Sequence, residues 1–250
     1  MAVAVTTGTR DRAARLTRML AWGAVGGAFA GFLVGGVLGR LAMRLLAVTS
    51  PGARGGITDD QAVVGEISVG GSGFLAFFTI ALGGVGGLVY LWVRRVLPGT
   101  TRGRVLGYGL FTGAVGGALF VHDHPSFDYT VLTPAWLAVA LFVALPAAYG
   151  LAVAALVEAL ERGPDRVPLW LVSVVGGAAL ALAFFLTVPM VAVAYVVGLV
   201  PAVNRAWRSP AVTVAGRLLY AVAVLWGGYG LVADIASIAT GIPSPMPFNF

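Results

Sequence analysis

The chain has 250 residues, of which 59% are hydrophobic and only 10% are charged. A soluble domain carries about 25% charged residues, so this composition excludes a soluble protein of this size and indicates a multi-pass membrane protein. The net charge of +6 comes entirely from arginine. Because the arginines are scattered beside apolar runs, we interpret them as topology signals and expect no nucleic-acid partner. The absence of cysteine excludes disulfides and thiol-based sites.

Apolar runs long enough to cross a bilayer as helices recur along the chain. The run 19–39 is too long for a signal peptide and predicts an uncleaved first helix. The stretch 168–203 would reach about 54 Å as one helix, so we expect a turn between Thr187 and Pro189 and two crossings. The prediction is an all-α bundle of seven spans, with six as the alternative. The seven spans are approximately 19–46, 74–93, 105–121, 134–157, 168–187, 189–203 and 211–238.

Arginine-rich segments set the expected orientation, because short loops that face the cytoplasm are enriched in Arg and Lys. They are the N-terminus, the loop after the second span and the loop after the sixth span. These three segments lie on the same side of the membrane only if the stretch 168–203 starts and ends on that side. We therefore expect a plasma-membrane protein with a cytoplasmic N-terminus and an extracytoplasmic C-terminus. The outer loops 47–73 and 122–133 would then form a small cap.

Glycines at regular steps of four residues indicate close helix packing. Each such step advances about 40° beyond a full turn, so these glycines form a slanted groove in which a second helix can lie. The neighbour is either another helix of this chain, which we favour, or a protein partner such as a second copy. The first span carries Gly23, Gly27, Gly31, Gly35 and Gly39, and the third carries Gly109, Gly113 and Gly117.

Arg40 and Arg44 lie one turn apart at the end of the first span that this topology places outside. One hypothesis is that they pair with acidic residues and fasten the outer cap. The other is an anion site, because arginine binds carboxylate and phosphate bidentately. The acidic residues expected on the same side are Asp59, Asp60, Glu66, Asp123, Asp128 and Asp234.

The two histidines of the chain, His122 and His124, stand beside Asp123 and close to Asp128. Histidine and carboxylate are metal ligands, but a zinc site needs three or four that converge. We interpret the segment as a loop between two helices, bounded by Pro125 and Pro134. No catalytic motif accompanies it, and no cofactor is predicted.

Three blocks carry a resemblance to other sequences: "GRLAMRLLAVTSPGARGGITDDQAVVGEIS", a glycine-rich span ending "YLWVRR", and "DYTVLTPAWLAVALF". Together they resemble a group of uncharacterised actinobacterial multi-pass membrane proteins. The resemblance implies a bacterial plasma membrane and no particular chemistry.

Three functional hypotheses follow from these patterns. The first is a non-enzymatic scaffold or partner subunit. The second is a transporter, or a lipid- or anion-binding protein with its site at the outer face. The third is an intramembrane enzyme that uses the cluster of His122 and His124.

Overall fold

The computed structural model describes residues 2–56, 63–65, 68–121, 129, 131–163 and 167–241, apart from the side chains of 2–7, 172 and 184. These residues are almost entirely helical, as the sequence predicts. The helices are α1 (Ala2–Ala30), a π-helical segment (Gly31–Leu38), α2 (Gly39–Thr49), α3 (Val69–Val93), α4 (Thr101–Phe111), a second π-helical segment (Thr112–Gly116), α5 (Gly117–Phe120), α6 (Ala135–Arg162), α7 (Leu169–Ala181), α8 (Phe184–Leu199), α9 (Pro201–Trp207) and α10 (Pro210–Thr240).

Four described helices are long and apolar enough to cross a membrane: Gly8–Thr49, Val69–Val93, Ala135–Arg162 and Pro210–Thr240. The bent pair Phe185–Leu199 and Pro201–Trp207 makes a fifth if it counts as one span. The predicted count of seven is therefore not confirmed. The main reason is the length of α7 and α8, which have 13 and 16 residues. Helices of that length reach about 20 and 24 Å, less than the ~30 Å hydrocarbon core.

Helix boundaries follow local capping chemistry. Ser68 and Thr100 accept hydrogen bonds from the backbone N–H groups three residues on, at the starts of α3 and α4. Pro201 and Pro210 open α9 and α10, where the missing N–H costs nothing. Gly241 ends α10 with φ of 69°, a left-handed conformation that glycine adopts without steric cost.

The helix formed by α1 and α2 packs antiparallel to α3 through the predicted glycine groove. A Cβ added at Gly27 would overlap the carbonyl oxygen of Gly83, and one added at Gly31 would overlap that of Thr79. The two backbones therefore touch, with no side chain between them. Gly39 departs from the pattern, because a Cβ added there would meet, among the described residues, only the carbonyl oxygen of Val34 in its own helix. The π-helical segment between Gly31 and Leu38 has wider turns, which end the four-residue register before Gly39.

A second antiparallel pair joins the continuous helix 101–120 to α6. Gly109 packs against Leu151, and Gly113 packs against Ala147. At the far end, Gly117 lies between Val143 of α6 and Leu231 of α10. The helix 101–120 thus runs along α6 for most of its length. Tyrosine hydroxyls join neighbouring helices: Tyr108 donates to the carbonyl of Gly86, Tyr149 to that of Gly83 and Tyr220 to that of Gly107.

The stretch 168–203 forms a helical hairpin that leaves and returns to the same end of the bundle. On the outward arm, Gly176 of α7 packs against Ala21 of α1. On the return arm, the hydroxyl of Tyr195 in α8 is 2.6 Å from that of Thr17. Eleven residues separate Tyr195 from the start of α8. The hairpin therefore reaches about 16 Å beyond Thr17, roughly half of a ~30 Å core.

The turn of this hairpin lies at Leu182 and Ala183, so the predicted turn between Thr187 and Pro189 is wrong. Pro189 is the sixth residue of α8, where it removes a single backbone hydrogen bond. The hydroxyl of Thr187 donates to the carbonyl of Leu180 across the turn, at 2.9 Å. The same carbonyl also accepts the backbone N–H of Ala183 at 3.1 Å, so two donors meet at the end of α7.

The bundle has two chemically different ends. Arg40, Arg44 and Arg54 lie at one of them, beside the starts of α3 and α6. All other described arginines lie at the opposite end, which we call the arginine-rich end.

Candidate functional site: an arginine-lined pocket

A cavity of about 510 Å³ opens at the arginine-rich end, between α1, the end of α3, and the segment from α8 to α9. We call it the arginine pocket. Its charged lining consists of five arginines, and its deeper wall is apolar. The residues around it are Arg12, Arg15, Leu16, Met19, Leu20, Leu91, Trp92, Arg95, Ala194, Val197, Gly198, Pro201, Asn204, Arg205, Trp207 and Arg208.

The α1 side of the pocket results from helical spacing. Arg12 and Arg15 are three residues apart and share a face with Leu16 and Met19, so the charges stand at the mouth and the apolar side chains farther in. The absence of a side chain at Gly198 lets Leu16 approach α8, since an added Cβ there would overlap Leu16.

The α9 side depends on a sharp bend. Val200 adopts φ of −83° and ψ of 113°, and the axis turns by 99° between α8 and α9. The side-chain amide of Asn204 donates to the carbonyl of Val197 at 2.9 Å and holds the bend. As a result α9 crosses the end of the bundle and presents Arg205 and Arg208, again three residues apart, to the cavity.

Two tryptophans attach α9 to α3. The rings of Trp92 and Trp207 meet edge to face with centroids 5.0 Å apart. The guanidinium of Arg95 lies 5.8 Å from the Trp207 centroid, within cation–π range. Burial lowers the pKa of Arg95 below its usual value, and the charges of Arg208 and Arg94 lower it further. Arg95 therefore lies among like charges.

None of the five pocket arginines forms an ion pair with a carboxylate in the part of the chain that the structure describes. Two arginines at the same end that do not line the pocket are paired. Arg94 pairs with Glu161 at 2.5 Å, and Arg104 pairs with Glu158 at 3.0 Å. Glu158 also accepts a hydrogen bond from the hydroxyl of Tyr90, at 2.8 Å. Guanidinium groups are five-donor forks that suit phosphate and carboxylate, so the lining of the pocket is rich in donors for an anionic group.

The residues that the sequence singled out at the other end are only partly described. Arg44 is exposed, and the buried Nε of Arg40 has no hydrogen-bond partner among the described residues. Neither arginine pairs with a described carboxylate, and Asp234 is 5% exposed within α10. Asp59, Asp60 and Glu66 lie outside the described residues. The anion site at this end therefore stays a prediction.

The described ends of the two loops that the sequence predicts to lie outside do meet. The hydroxyl of Ser50 donates to the carbonyl of Thr133 at 3.0 Å, and the backbone N–H of Thr133 donates back at 2.7 Å. The short segment 63–65 pairs with Gly55 and Gly56 through two backbone hydrogen bonds. These contacts join the ends of the loops, while the predicted cap itself stays a prediction.

The predicted histidine cluster of His122, Asp123, His124 and Asp128 also lies outside the described residues. Within the described part of the chain, no group of three His, Asp or Glu side chains is placed to hold a metal ion.

Sequence reasoning missed the arginine pocket because its members come from three distant segments. Arg12, Arg95 and Arg208 were each interpreted as topology signals beside separate spans. The one local signal was the paired spacing of Arg12 with Arg15 and of Arg205 with Arg208 beside Trp207. It also missed the pairing of Glu158 with Arg104, because the two residues lie 54 positions apart and no local pattern connects them.

Comparison with known proteins identifies no relative of this chain. No protein family, no curated protein and no solved structure matches the chain.

Proposed function

We propose that this is a bacterial plasma-membrane protein that binds an anionic group in the arginine pocket, at the cytoplasmic membrane surface. The bundle would cross the bilayer five times, through Gly8–Thr49, α3, the helix 101–120, α6 and α10. The hairpin of α7 and α8 would enter the membrane from the cytoplasmic side without crossing it. The proposed activity is binding. The proposed anion site lies at the inner face, whereas the hypothesis from the sequence placed it at the outer face.

The arrangement of the helices supports this topology. The helix 101–120 runs antiparallel to α6. Its contacts with α6 extend from the pair of Arg104 and Glu158 to that of Gly117 and Val143, so the two helices lie side by side across the bundle. Gly176 of the outward arm packs against Ala21 of α1, and Tyr195 of the return arm contacts Thr17, so both arms lie beside the start of the apolar part of α1. With the arginine-rich end in the cytoplasm, the distribution of arginines obeys the positive-inside rule.

One observation carries the binding proposal: five arginines surround a single cavity, and no described carboxylate pairs with them. Like charges that converge without a counterion repel one another, and they persist where a ligand of opposite charge offsets the repulsion. Snorkelling to the surface explains arginines spread around a helix bundle. It does not explain why arginines of α1, of the turn after α3, and of α9 and its C-terminal end face one cavity.

Binding is tested with the full chain in nanodiscs of phosphatidylcholine, using inorganic pyrophosphate as the probe. Tryptophan fluorescence is a suitable readout because Trp92 and Trp207 line the pocket. We expect a saturable change in the wild type. The double variant Arg95→Gln/Arg208→Gln should bind about 30-fold more weakly, since each basic residue near an anionic group contributes about 1 kcal/mol.

Arg10→Gln/Arg102→Gln is the matched control, because it also removes two charges and both are exposed arginines of the arginine-rich end that do not line the pocket. Equal weakening by the control and the double variant would mean that pyrophosphate responds to overall charge. That result would overturn the proposed site.

The topology is tested by single cysteines, which a chain without cysteine allows. Cysteine at Gly99, between α3 and α4, should react with a membrane-impermeant maleimide from the cytoplasmic side only. Phe185 is 90% exposed beside the hairpin turn and should lie in the hydrocarbon, so Phe185→Cys should react from neither side. Reaction of Phe185→Cys from the outside would restore two full crossings for 168–203.

A further inference from the structure

A second cavity of about 350 Å³ lies directly beyond the arginine pocket, between α3 and α8. We call it the apolar groove. It is lined by Val89, Trp92, Pro189, Met190 and Val193, and none of these side chains carries a charge. Trp92 belongs to both cavities, so the wall of one continues into the wall of the other.

Helical spacing shows that the groove extends the pocket away from the arginine-rich end. On α8, Val197 lines the pocket and Val193, one turn farther along, lines the groove. Pro189 lies one turn beyond Val193, which places it about 12 Å from Val197 along the helix. At the end of α3, the lining passes in the same direction from Arg95, in the turn after the helix, through Trp92 to Val89. The charged arginine pocket and the apolar groove therefore lie one after the other along the same helices.

We propose that the ligand of the arginine pocket is an anionic glycerophospholipid of the inner leaflet, whose headgroup phosphate contacts the arginines while one acyl chain lies in the apolar groove. This inference rests on the proposed function and specifies its ligand. A free anion would fill the pocket and leave the groove unused. A lipid with its phosphate beside Arg95 extends its chains toward the bilayer centre, which is the direction that the groove takes.

The groove is open on the side from which a lipid would arrive. Val193 is 49% exposed and Pro189 is also exposed, so a chain can enter from the surrounding bilayer without leaving it. The exposed mouth of the pocket, at Arg205 and Arg208, lies at the level of the headgroups in the proposed topology. Net-neutral headgroups carry an ammonium beside the phosphate, which the arginines repel, so the charge pattern selects for anionic lipids.

Packing sets the size of the expected effect. The chain passes from one apolar environment to another, so the groove contributes close contacts and no large hydrophobic transfer energy. Filling the groove should therefore weaken lipid binding by only about fivefold. It should leave pyrophosphate binding unchanged, because pyrophosphate has no chain.

The experiment uses native mass spectrometry of the full chain, released from a mild detergent and titrated with dioleoylphosphatidylglycerol or dioleoylphosphatidylcholine. Val193→Trp fills the groove, and Val196→Trp is the matched control, since Val196 is a similarly exposed valine of α8 outside the groove. Val193→Trp should weaken phosphatidylglycerol binding about fivefold, and Val196→Trp should not. Met190→Trp provides a second groove variant if Val193→Trp fails to fold.

Equal affinities of the two tryptophan variants for phosphatidylglycerol would overturn the groove as the chain site. Equal wild-type affinities for the two lipids would overturn the choice of an anionic lipid. In both cases the proposed anion site would still be supported if pyrophosphate binding depended on Arg95 and Arg208. Loss of that dependence would instead remove the proposed function itself.

Discussion

Two groups of arginines stand side by side at the same end of the bundle and have opposite surroundings. On the closed side, which we define by α3, α4 and α6, Arg94 and Arg104 each meet a glutamate. On the pocket side, between α1, α3 and α9, Arg12, Arg95 and Arg208 face a cavity and meet no described carboxylate. Residue type and charge are the same, but the paired arginines are partly buried and the pocket arginines are exposed.

This contrast separates two uses of one residue type. A charge that is partly buried is costly unless it is paired, so the glutamates of α6 turn Arg94 and Arg104 into links between helices. The pocket arginines stay near the surface, where water satisfies them, and they keep their donors available for a ligand. The closed side should therefore respond to substitution with a loss of stability, and the pocket side with a loss of binding.

The largest expected effect comes from separating α1 from α3, because both sides depend on that contact. Gly27→Ala places a Cβ where the carbonyl of Gly83 lies, and a backbone cannot move aside as a side chain can. We expect a loss of about 2–3 kcal/mol in the free energy of unfolding, measured by thermal or denaturant unfolding in detergent. Gly39→Ala is the control, since an added Cβ there meets only Val34 of its own helix, at 3.8 Å. Equal losses would mean that the glycine groove does not hold the helices together.

An intermediate effect is expected on the closed side. Glu158→Gln keeps the shape and the bond from Tyr90 but leaves Arg104 without its charge partner. The Glu158 side chain is 8% exposed and that of Arg104 31%, so solvent screens part of the cost. We expect a loss of about 1–2 kcal/mol in unfolding free energy. Glu161→Gln should cost less than about 1 kcal/mol, because Glu161 is more exposed than Glu158. The reverse order would contradict the assignment of Glu158 as the principal link.

The smallest effect on stability is expected in the pocket. Because burial and like charges lower the pKa of Arg95 in the folded state, the charged form opposes folding at neutral pH, below that pKa. Arg95→Gln/Arg208→Gln should therefore leave the unfolding midpoint unchanged or slightly higher, although it weakens anion binding. A clear fall in the midpoint would show that these arginines stabilise the fold, and the contrast between the two sides would disappear.

Much of the bundle was predictable from the sequence because it rests on local periodicity. The glycines of the first span share one face at steps of four residues, and Gly23, Gly27, Gly31 and Gly35 all contact α3. Helix type followed from apolar runs with few charges. Gly39 was placed in the groove incorrectly, since a π-helical segment is not visible as a change in residue spacing.

The rest depends on contacts between distant segments. The 36 residues of 168–203 fit two short crossings or one hairpin equally well by length. The proline taken as the turn is tolerated inside α8. Arg12, Arg95 and Arg208 become a site only when α9 bends across the end of the bundle. No pattern within a single helix predicts that bend together with its neighbours.

The hairpin of α7 and α8 has a consequence for the arithmetic of topology. A segment that returns to the end it left adds an even number to the tally of crossings, whether it goes all the way or half of the way. The distribution of charge among loops depends on whether the number of crossings is odd or even. It does not depend on how deeply a hairpin enters the membrane. Seven crossings, and five with a hairpin, therefore distribute arginines identically, and a hydropathy profile counts the hairpin as two spans. Proteins in which a short, proline-containing pair of apolar segments precedes a basic loop are the place to look for the same miscount.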